Sequence, residues 1–282
     1  MSTFTKIKAI KDTLSASESK LAKFTLTSSS TLRDMSSQQL ARAVGVSQSA
    51  VVKFAQKLGY KGFPAFKMGV IDALNADGSK NNLTGKITLK DDLSQIAEKL
   101  LSSKHAALDE TRRLNTEQAM EQAVTALKSA KRILICGLGG SALVGKDFSY
   151  KLQKLGMYAV VEPDCHVQLT FASTLGKDDL VFAISESGGT REIIKVVQQA
   201  KLNGSNIISL TRFGSTPISD LANTKLYSVA EDASTRISSI LARTAQEFVI
   251  DILFVAITQS SRNGRALLEK SRSVVNEYRH SD

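Results

Sequence analysis

The sequence has little cysteine and no long apolar run. Its two cysteines are Cys136, in the apolar segment RILICG, and Cys165, in PDCHV, and neither belongs to a CxxC pair or a Cys/His cluster. This spacing disfavours a disulfide framework and a structural zinc, so we expect no metal and no cofactor. No run approaches the roughly 18 to 20 apolar residues of a membrane helix, and the N-terminus lacks the apolar core of a signal peptide. We therefore expect a cytoplasmic protein with no membrane association.

The chain is long enough for two domains, and its basic charge is concentrated in one part. Its 282 residues are 42% hydrophobic, as in packed globular proteins, and its formal net charge is +10. Residues 1–80 contain twelve Lys and Arg against five Asp and Glu, a balance of +7, whereas the rest has 25 against 22, a balance of +3. Such asymmetry is typical of a polyanion-binding module joined to a nearly neutral one, the alternative being a solvated basic face without a partner.

The sequence pattern divides the chain into an all-helical part and an α/β part. Residues 1–76 show short helical segments, residues 77–92 form a polar linker with two glycines, and residues 93–282 begin with two amphipathic helices and end with a long, largely buried one. Between them, the apolar strands RILICG, MYAVVE, DLVFAIS, NIISLT and KLYSVA alternate with helical stretches. Because parallel strands need helical crossovers, this predicts a doubly wound parallel sheet.

The segment from Ser36 to Phe63 has the pattern of a helix-turn-helix. Ser36 or Ser37 can cap a first helix, Gly45 can end it with a positive φ, and Val51, Phe54 and Leu58 supply the buried stripe of a second helix. In this motif the second helix enters the major groove of DNA. Its expected DNA contacts are Ser37, Ser47, Gln48, Ser49 and Gln56, with Gln48 and Ser49 reading bases, and Arg42, Lys53, Lys57 and Lys61 contacting phosphates. A small helical domain without DNA binding is the alternative.

Two strands of the α/β part end in loops suited to an anion. In GLGGSA, glycines precede Ser141 at a helix start, and in SESGGT, Ser185, Ser187 and Thr190 offer hydroxyls beside two glycines. A helix N-terminus presents unpaired N–H groups and a partial positive charge, so it stabilises an anion. GLGGSALVG departs from the dinucleotide fingerprint GxGxxG, and no GKS or GKT of a Walker loop is present. A monophosphate on a small molecule fits these loops better.

The two parts together resemble bacterial transcription factors of the RpiR family. SQSAVVKFAQKLGYKGF resembles the family's helix-turn-helix, and GLGGSALVGKDFSYKLQKLG with SESGGTREI resembles its sugar isomerase domain. DCHVQLT and ARTAQEFVIDILFVA are most similar to the branch that responds to N-acetylmuramic acid 6-phosphate. The resemblance implies a regulator, usually a repressor, that binds operator double-stranded DNA as a homodimer or homotetramer and responds to a phosphorylated amino sugar.

The resemblance also implies an effector site. Its residues are Gly140, Ser141, His166, Ser185, Glu186, Ser187, Thr190 and Arg243. A carboxylate beside a phosphate is repulsive, so Glu186 should point to sugar hydroxyls or solvent. His166 either reaches the ligand or is an ordinary surface residue, and Arg243 either closes over the ligand from a neighbouring subunit or pairs with Glu247 one helical turn on.

An isomerase is the alternative function, because related sugar isomerase domains catalyse aldose-ketose isomerisation. That chemistry needs a general base and a second group that opens the sugar ring. Glu186 and His166 can in principle form such a pair, and Glu231 and Glu247 are further acids in the same part of the chain. A DNA-binding part has no purpose in an isomerase, so we expect a sensor without catalytic residues. N-acetylmannosamine 6-phosphate and other hexosamine phosphates remain open as effectors, as does a plain oligomerisation module that binds no ligand.

Overall fold

The computed structural model describes residues 3–10, 13–77, 87–229 and 239–280, which fall into two compact units, Met1–Ala106 and Ala107–Asp282. The predicted linker lies mostly outside the described residues, as does Glu231. Among the described residues, no helix is long and apolar enough to cross a membrane, and no group of His, Cys, Asp and Glu has the arrangement of a metal site.

The first unit is helical. Its helices are α1 (Thr3–Ala9), α2 (Ala16–Thr27), α3 (Ser29–Leu32), α4 (Ser37–Val44), α5 (Gln48–Lys57) and α6 (Phe63–Asp77), followed by the start of α7 (Leu93–Leu114). Ser36 caps α4 in a capping box with Gln39, and Gly45 ends it with φ at 70°, a conformation that a side chain with a Cβ disfavours. Ser47 then caps α5 by accepting a hydrogen bond from the backbone of Ala50.

An aromatic cluster fixes the position of α5 in this unit. Val51, Phe54 and Leu58 are fully buried. Phe54 meets Phe66 of α6 edge-on, with ring centroids 5.8 Å apart. The predicted buried stripe of the second helix is therefore confirmed, and the opposite side of α5 is left exposed.

The second unit is a doubly wound parallel sheet, as predicted. After the end of α7 come α8 (Glu117–Ser129), β1 (Ile133–Cys136), α9 (Gly140–Gln153), β2 (Ala159–Val161), α10 (Cys165–Ser173), β3 (Leu180–Ser185), α11 (Arg191–Leu202), β4 (Asn206–Arg212), a 3₁₀ turn (Ser219–Leu221), β5 (Thr224–Ser228), α12 (Ile240–Ser260) and α13 (Gly264–His280). The strand order is β2-β1-β3-β4-β5, and the strand pairings are parallel.

Residues alternate along each strand between two apolar cores. Helices α8, α9 and α12 cover one face of the sheet, where they pack against Ile133, Ile135 and Phe182 of the strands. Helices α10 and α11 cover the other face, where they pack against Leu134 and Val181. Since both faces are covered, the central strands β1 and β3 are almost continuously apolar, which explains why they were recognisable in the sequence.

Two features of this unit were not foreseen from the sequence. Helix α13 follows α12 after a tight turn in which a Cβ on Gly264 would lie 2.4 Å from the carbonyl oxygen of Thr258. At the edge of the sheet, Asn115 donates to the carbonyl of Tyr227 at 2.8 Å and accepts from its N–H at 2.8 Å. Its side chain therefore pairs with β5 as a neighbouring strand would.

Candidate functional site

The exposed side of α5 combines polar and basic side chains. Gln48 donates to Ser37 Oγ at 2.8 Å, and the hydroxyls of Ser47 and Ser49 lie 2.9 Å apart. The structure thus brings four of the expected DNA contacts together at the start of α5. Because these bonds are exposed, water or the edges of bases can replace them at little cost.

The basic residues of this face differ in how freely they can meet a phosphate. The side chains of Arg42, Lys53 and Lys61 are exposed, as is that of Gln56, and none of the three cations forms an ion pair within the described part of the chain. Lys57 instead donates to Glu18 Oε2 at 2.8 Å and to the carbonyl of Thr13 at 3.0 Å. Lys57 is thus already paired with a carboxylate of its own chain, and its expected contact with a DNA phosphate stays a prediction.

The two glycine-rich loops of the second unit begin side by side. They follow β1 and β3, which are adjacent parallel strands, with Cys136 in register with Ala183. A Cβ on Gly137 would lie 3.1 Å from the carbonyl oxygen of Ile184 and 3.2 Å from the carbonyl carbon of Ser141, so a side chain here would force the neighbouring backbone to shift by a few tenths of an ångström. From here β1 leads through α9 to β2 on one side, and β3 leads through α11 to β4 on the other. This is the topological switch point, where open α/β sheets bind ligands.

The helices that follow these loops begin without side-chain caps. Helices α2, α4, α5, α8 and α10 each begin with a Ser, Thr or Asp side chain that accepts a backbone hydrogen bond. By contrast, Gly139 precedes α9 with no side chain to accept a hydrogen bond, and Thr190 makes no capping bond at α11. At α9 the N–H groups of Ser141 and Ala142 donate to the carbonyls of Leu138 at 3.2 Å and Gly139 at 3.1 Å. The first amide of α9 and those at the start of α11 are the ones available to an anion.

The hydroxyls of the second loop are held by contacts within the loop. Ser185 Oγ lies 3.0 Å from Thr190 Oγ1 and accepts from the N–H of Gly188 at 3.2 Å. Ser187 Oγ accepts from the N–H of Gly189 at 3.1 Å. Gly188 has φ at 65°, and a Cβ there would lie 2.3 Å from Thr216 Oγ1. The loop is therefore shaped before any ligand arrives.

Two other expected effector residues, Glu186 and Arg243, lie in the second loop and against the first loop respectively. Glu186 is half-buried, and its carbonyl accepts from the N–H of Arg212 at 3.1 Å. Arg243 packs against the first loop of its own chain, with its Cδ 3.3 Å from the position of a Cβ on Gly140. The predicted ion pair between Arg243 and Glu247 is not formed between these two described residues.

His166 lies at the start of α10 with its side chain exposed. Its backbone N–H donates to Asp164 Oδ1 at 2.8 Å, which caps the helix. Two residues on, the buried Gln168 donates to the carbonyls of Gly137 at 3.2 Å and Glu162 at 2.6 Å. Gln168 thereby ties α10 to the base of the first loop, whereas the His166 side chain forms no hydrogen bond with either loop among the described residues.

Sequence reasoning missed two amides, Gln168 and Gln246. Gln246 lies on α12 with 1% of its surface exposed, and its side chain contacts the hydroxyl of Ser141. The available signal was a polar residue on the buried stripe of an apolar helix, at the same helical face as Ala242 and Val249.

Cys136 at the end of β1 is inert, because burial raises the pKa of its thiol to about 12.

Solved structures with a similar fold come from both regulators and enzymes. The Vibrio vulnificus NanR protein complexed with ManNAc-6P matches with a TM-score of 0.62 at 22% identity, covering 99% of this chain and 100% of that one. The sugar isomerase domain of an RpiR transcription factor from Sphaerobacter thermophilus matches at 0.58 and 20% identity, covering 64% and 99%. A phosphoheptose isomerase from Francisella tularensis matches at 0.50 and 20% identity, covering 60% and 100%. At these identities the similarity establishes the fold.

The family models assign each part of the chain. Residues 126–256 match the SIS domain, and residues 1–77 match the helix-turn-helix domain of the rpiR family. The SIS match contains both glycine-rich loops and most of α12, and the other match contains α4, α5 and the basic face. The chain therefore combines an rpiR-family helix-turn-helix domain with a SIS domain.

Proposed function

We propose that this protein is a sequence-specific transcriptional regulator, a repressor of amino-sugar catabolism genes, whose operator binding is controlled by a sugar 6-phosphate. The observation that carries the proposal is the pair of uncapped helix N-termini beside the Ser and Thr hydroxyls of adjacent loops, on the same chain as an rpiR-family helix-turn-helix. One part has the chemistry to bind a phosphate, and the other has the chemistry to bind DNA.

The site favours a single phosphate group. Its donors lie on the loops that follow the adjacent strands β1 and β3. They are the first amides of α9 and α11 and the hydroxyls of Ser141, Ser185, Ser187 and Thr190. The phosphate lies between the two loops in this proposal. The rest of the sugar extends toward α12 and the start of α10, where Arg243 and His166 are the expected contacts.

An N-acetylhexosamine 6-phosphate is the effector class that we propose. The resemblance of DCHVQLT and ARTAQEFVIDILFVA to the branch that responds to N-acetylmuramic acid 6-phosphate makes this compound the first choice. The similar fold of NanR, complexed with ManNAc-6P, supports the wider class of amino-sugar phosphates. As a regulator of this type, the protein would act in the cytoplasm as a homodimer or homotetramer.

Sensing fits the site better than isomerisation does. A sensor needs to bind its ligand but not to lower a barrier, so it needs no positioned base. Of the side chains that contact the loops, Gln246 and Thr216 are neutral and Arg243 is a cation, and the thiol of Cys136 is protonated at neutral pH, so none of the four is a base. Glu186 remains the one carboxylate within a loop, and in the proposed site it faces sugar hydroxyls or solvent.

Calorimetric titration tests this function. The purified chain is titrated with N-acetylmuramic acid 6-phosphate, N-acetylmannosamine 6-phosphate and the same sugars without phosphate, and each mixture is then analysed for conversion of the sugar. We expect saturable binding of at least one phosphorylated sugar, no binding of its unphosphorylated form, and no turnover. Absence of binding by every phosphosugar would refute the sensor, and turnover would establish the isomerase instead.

A further inference from the structure

Gln246 is a buried amide whose contact is a residue of the phosphate site. It has 1% of its surface exposed and lies among Ala242, Ala245 and Val249, which are all fully or almost fully buried. Its Nε2 lies 3.3 Å and its Oε1 3.4 Å from Ser141 Oγ. Within the described part of the chain, its side chain has no other hydrogen-bond partner.

The cost of burying this amide indicates a purpose beyond packing. Burying an amide without adequate hydrogen bonds destabilises the folded protein, whereas an apolar side chain at the same place would carry no such cost. Both contacts with Ser141 are longer than the usual 2.7 to 3.0 Å or so. The amide therefore holds the serine oxygen in place without engaging its proton strongly.

This geometry leaves the hydroxyl proton of Ser141 available to a ligand. Within this chain the hydroxyl donates to Oε1 at 3.4 Å and accepts from Nε2 at 3.3 Å. When an anion lies at the start of α9, the hydroxyl turns to donate to it and still accepts from Nε2. Because Gln246 is buried, it acts through Ser141 rather than by touching the ligand.

We propose that Gln246 is a positioning residue that orients the Ser141 hydroxyl toward the phosphate of the effector. This inference rests on the proposed function, since it assigns a role within the same site. Its neighbours on α12 fit the role, because Ser239 Oγ and Arg243 Cδ lie 2.6 Å and 3.3 Å from the position of a Cβ on Gly140. The start of α12 thus supports the first loop at both Gly140 and Ser141.

A double-mutant cycle tests the proposal. Gln246→Met keeps the length of the side chain and removes its hydrogen bonds, and it is compared with Ser141→Ala and with the double variant. Dissociation constants are measured by calorimetry for inorganic phosphate, N-acetylmannosamine 6-phosphate and N-acetylmuramic acid 6-phosphate. We expect Gln246→Met to weaken binding about 3- to 10-fold, as for the loss of one hydrogen bond, and to have no further effect when Ser141 is already alanine.

Two further variants separate positioning from packing. Gln199→Met, on α11, removes an amide that contacts Asn203 Oδ1 at 3.4 Å, and it should leave ligand binding unchanged. Gln246→Glu is isosteric, and its neutral acid can donate to Ser141 whereas its carboxylate cannot. The ligand affinity of Gln246→Glu, divided by that of the unsubstituted protein at the same pH, should therefore rise as the pH is lowered from 8 to 5.5. This variant also serves as the test if Gln246→Met does not fold.

The outcomes distinguish this inference from the proposed function. One contrary result is that Gln246→Met reduces ligand affinity equally in the unsubstituted protein and in Ser141→Ala, and another is that it does not reduce the affinity at all. Either result would overturn the positioning role while leaving the sensor intact. If the unsubstituted protein binds inorganic phosphate but no phosphosugar, the sensor fails and the cycle with phosphate still judges Gln246. If it binds neither, both proposals are refuted.

Discussion

The shape of the second loop depends on single residues, and Gly188 is the clearest case. With φ at 65° it occupies a conformation that favours glycine, and the place of a Cβ is already filled by Thr216. The adjacent Gly189 has no such restriction, because a Cβ there would find its nearest neighbour, Ser187 Oγ, at 3.8 Å.

We expect Gly188→Ala to impair phosphosugar binding and Gly189→Ala to preserve it. Strain of this kind costs about 1 to 3 kcal/mol, which corresponds to a loss of affinity of roughly 5- to 150-fold if the loop must recover its shape. Calorimetry on both variants measures the effect. Equal affinities for the two variants would show that the positive φ of Gly188 has no part in the site.

Residue chemistry also explains what remained hidden in the sequence. Ser185, Ser187 and Thr190 could be identified because they adjoin glycines in one short segment. Gln246 and Ser141 are 105 positions apart, so no local pattern connects them. The same holds for Lys57 and Glu18, whose ion pair only the folded helices create.

At the scale of elements, a buried carboxylate joins the starts of β1 and β3. Asp179 accepts two hydrogen bonds from Arg132, at 3.1 Å and 2.6 Å, and a third from the N–H of Gly176 at 2.8 Å. These bonds, chiefly those from Arg132, hold the pKa of Asp179 below its ordinary value despite its burial. The adjacent pair of Asp178 with Lys131 is largely exposed.

We expect Asp179→Asn to destabilise the protein at neutral pH much more than Asp178→Asn does. The loss is about 1 to 3 kcal/mol, as for hydrogen bonds of a charged, buried acceptor. Since the folded pKa is lowered, the stabilisation is complete above the unfolded pKa of about 4 and is lost as the pH falls through the folded value. Thermal unfolding at pH 7 and at pH 3 measures the loss of stability in each variant. The extra loss caused by Asp179→Asn should be smaller at pH 3. An extra loss that does not depend on pH would show that the charge of Asp179 does not stabilise the protein.

Helix α5 carries a second prediction at this scale. Lys53 is exposed on the face expected to meet DNA, so Lys53→Ala should weaken binding to all DNA sequences alike and reduce the slope of log K against log salt by about 1. Lys20→Ala removes the same charge from the exposed side of α2 and is the matched control. Fluorescence anisotropy across a salt series measures both. A larger effect of Lys20→Ala would place the DNA interface on another face.

The elements themselves were largely predictable. The strands β1 to β5 and the helices between them were predicted, because a sheet covered on both faces leaves continuous apolar runs in the sequence. Helix α13 was not, since its exposed side chains leave only a weak apolar stripe. The pairing of Asn115 with β5 also escaped notice, because it depends on where α7 ends relative to the sheet.

At the scale of the whole molecule, the proposed function requires that the two activities can be separated. Ser187→Ala should reduce the response to the phosphosugar and leave operator affinity intact, because it removes one hydroxyl from the effector loop. Lys53→Ala should reduce operator affinity and leave phosphosugar binding intact. In the unsubstituted protein we expect the effector to change operator affinity roughly 5- to 150-fold, the usual range of allosteric coupling.

Band shifts with and without effector check this prediction. A ligand can change DNA binding only as far as it prefers one arrangement of the protein, so the shift measures that preference. The reverse pattern, in which Ser187→Ala abolishes DNA binding and Lys53→Ala abolishes the effector response, would refute the assignment of the two sites.

The sequence by itself determined the helix-turn-helix, the parallel sheet and the two glycine-rich loops. Each of these depends on residues within one short segment: a helical stripe, an apolar run, or glycines and hydroxyls at the end of a strand. The tertiary structure decided which helix N-termini lack a side-chain cap, that Lys57 is already paired with Glu18, and that Gln246 holds Ser141. These features are contacts between distant segments, and such contacts exist only once packing has placed the helices against the sheet and against each other.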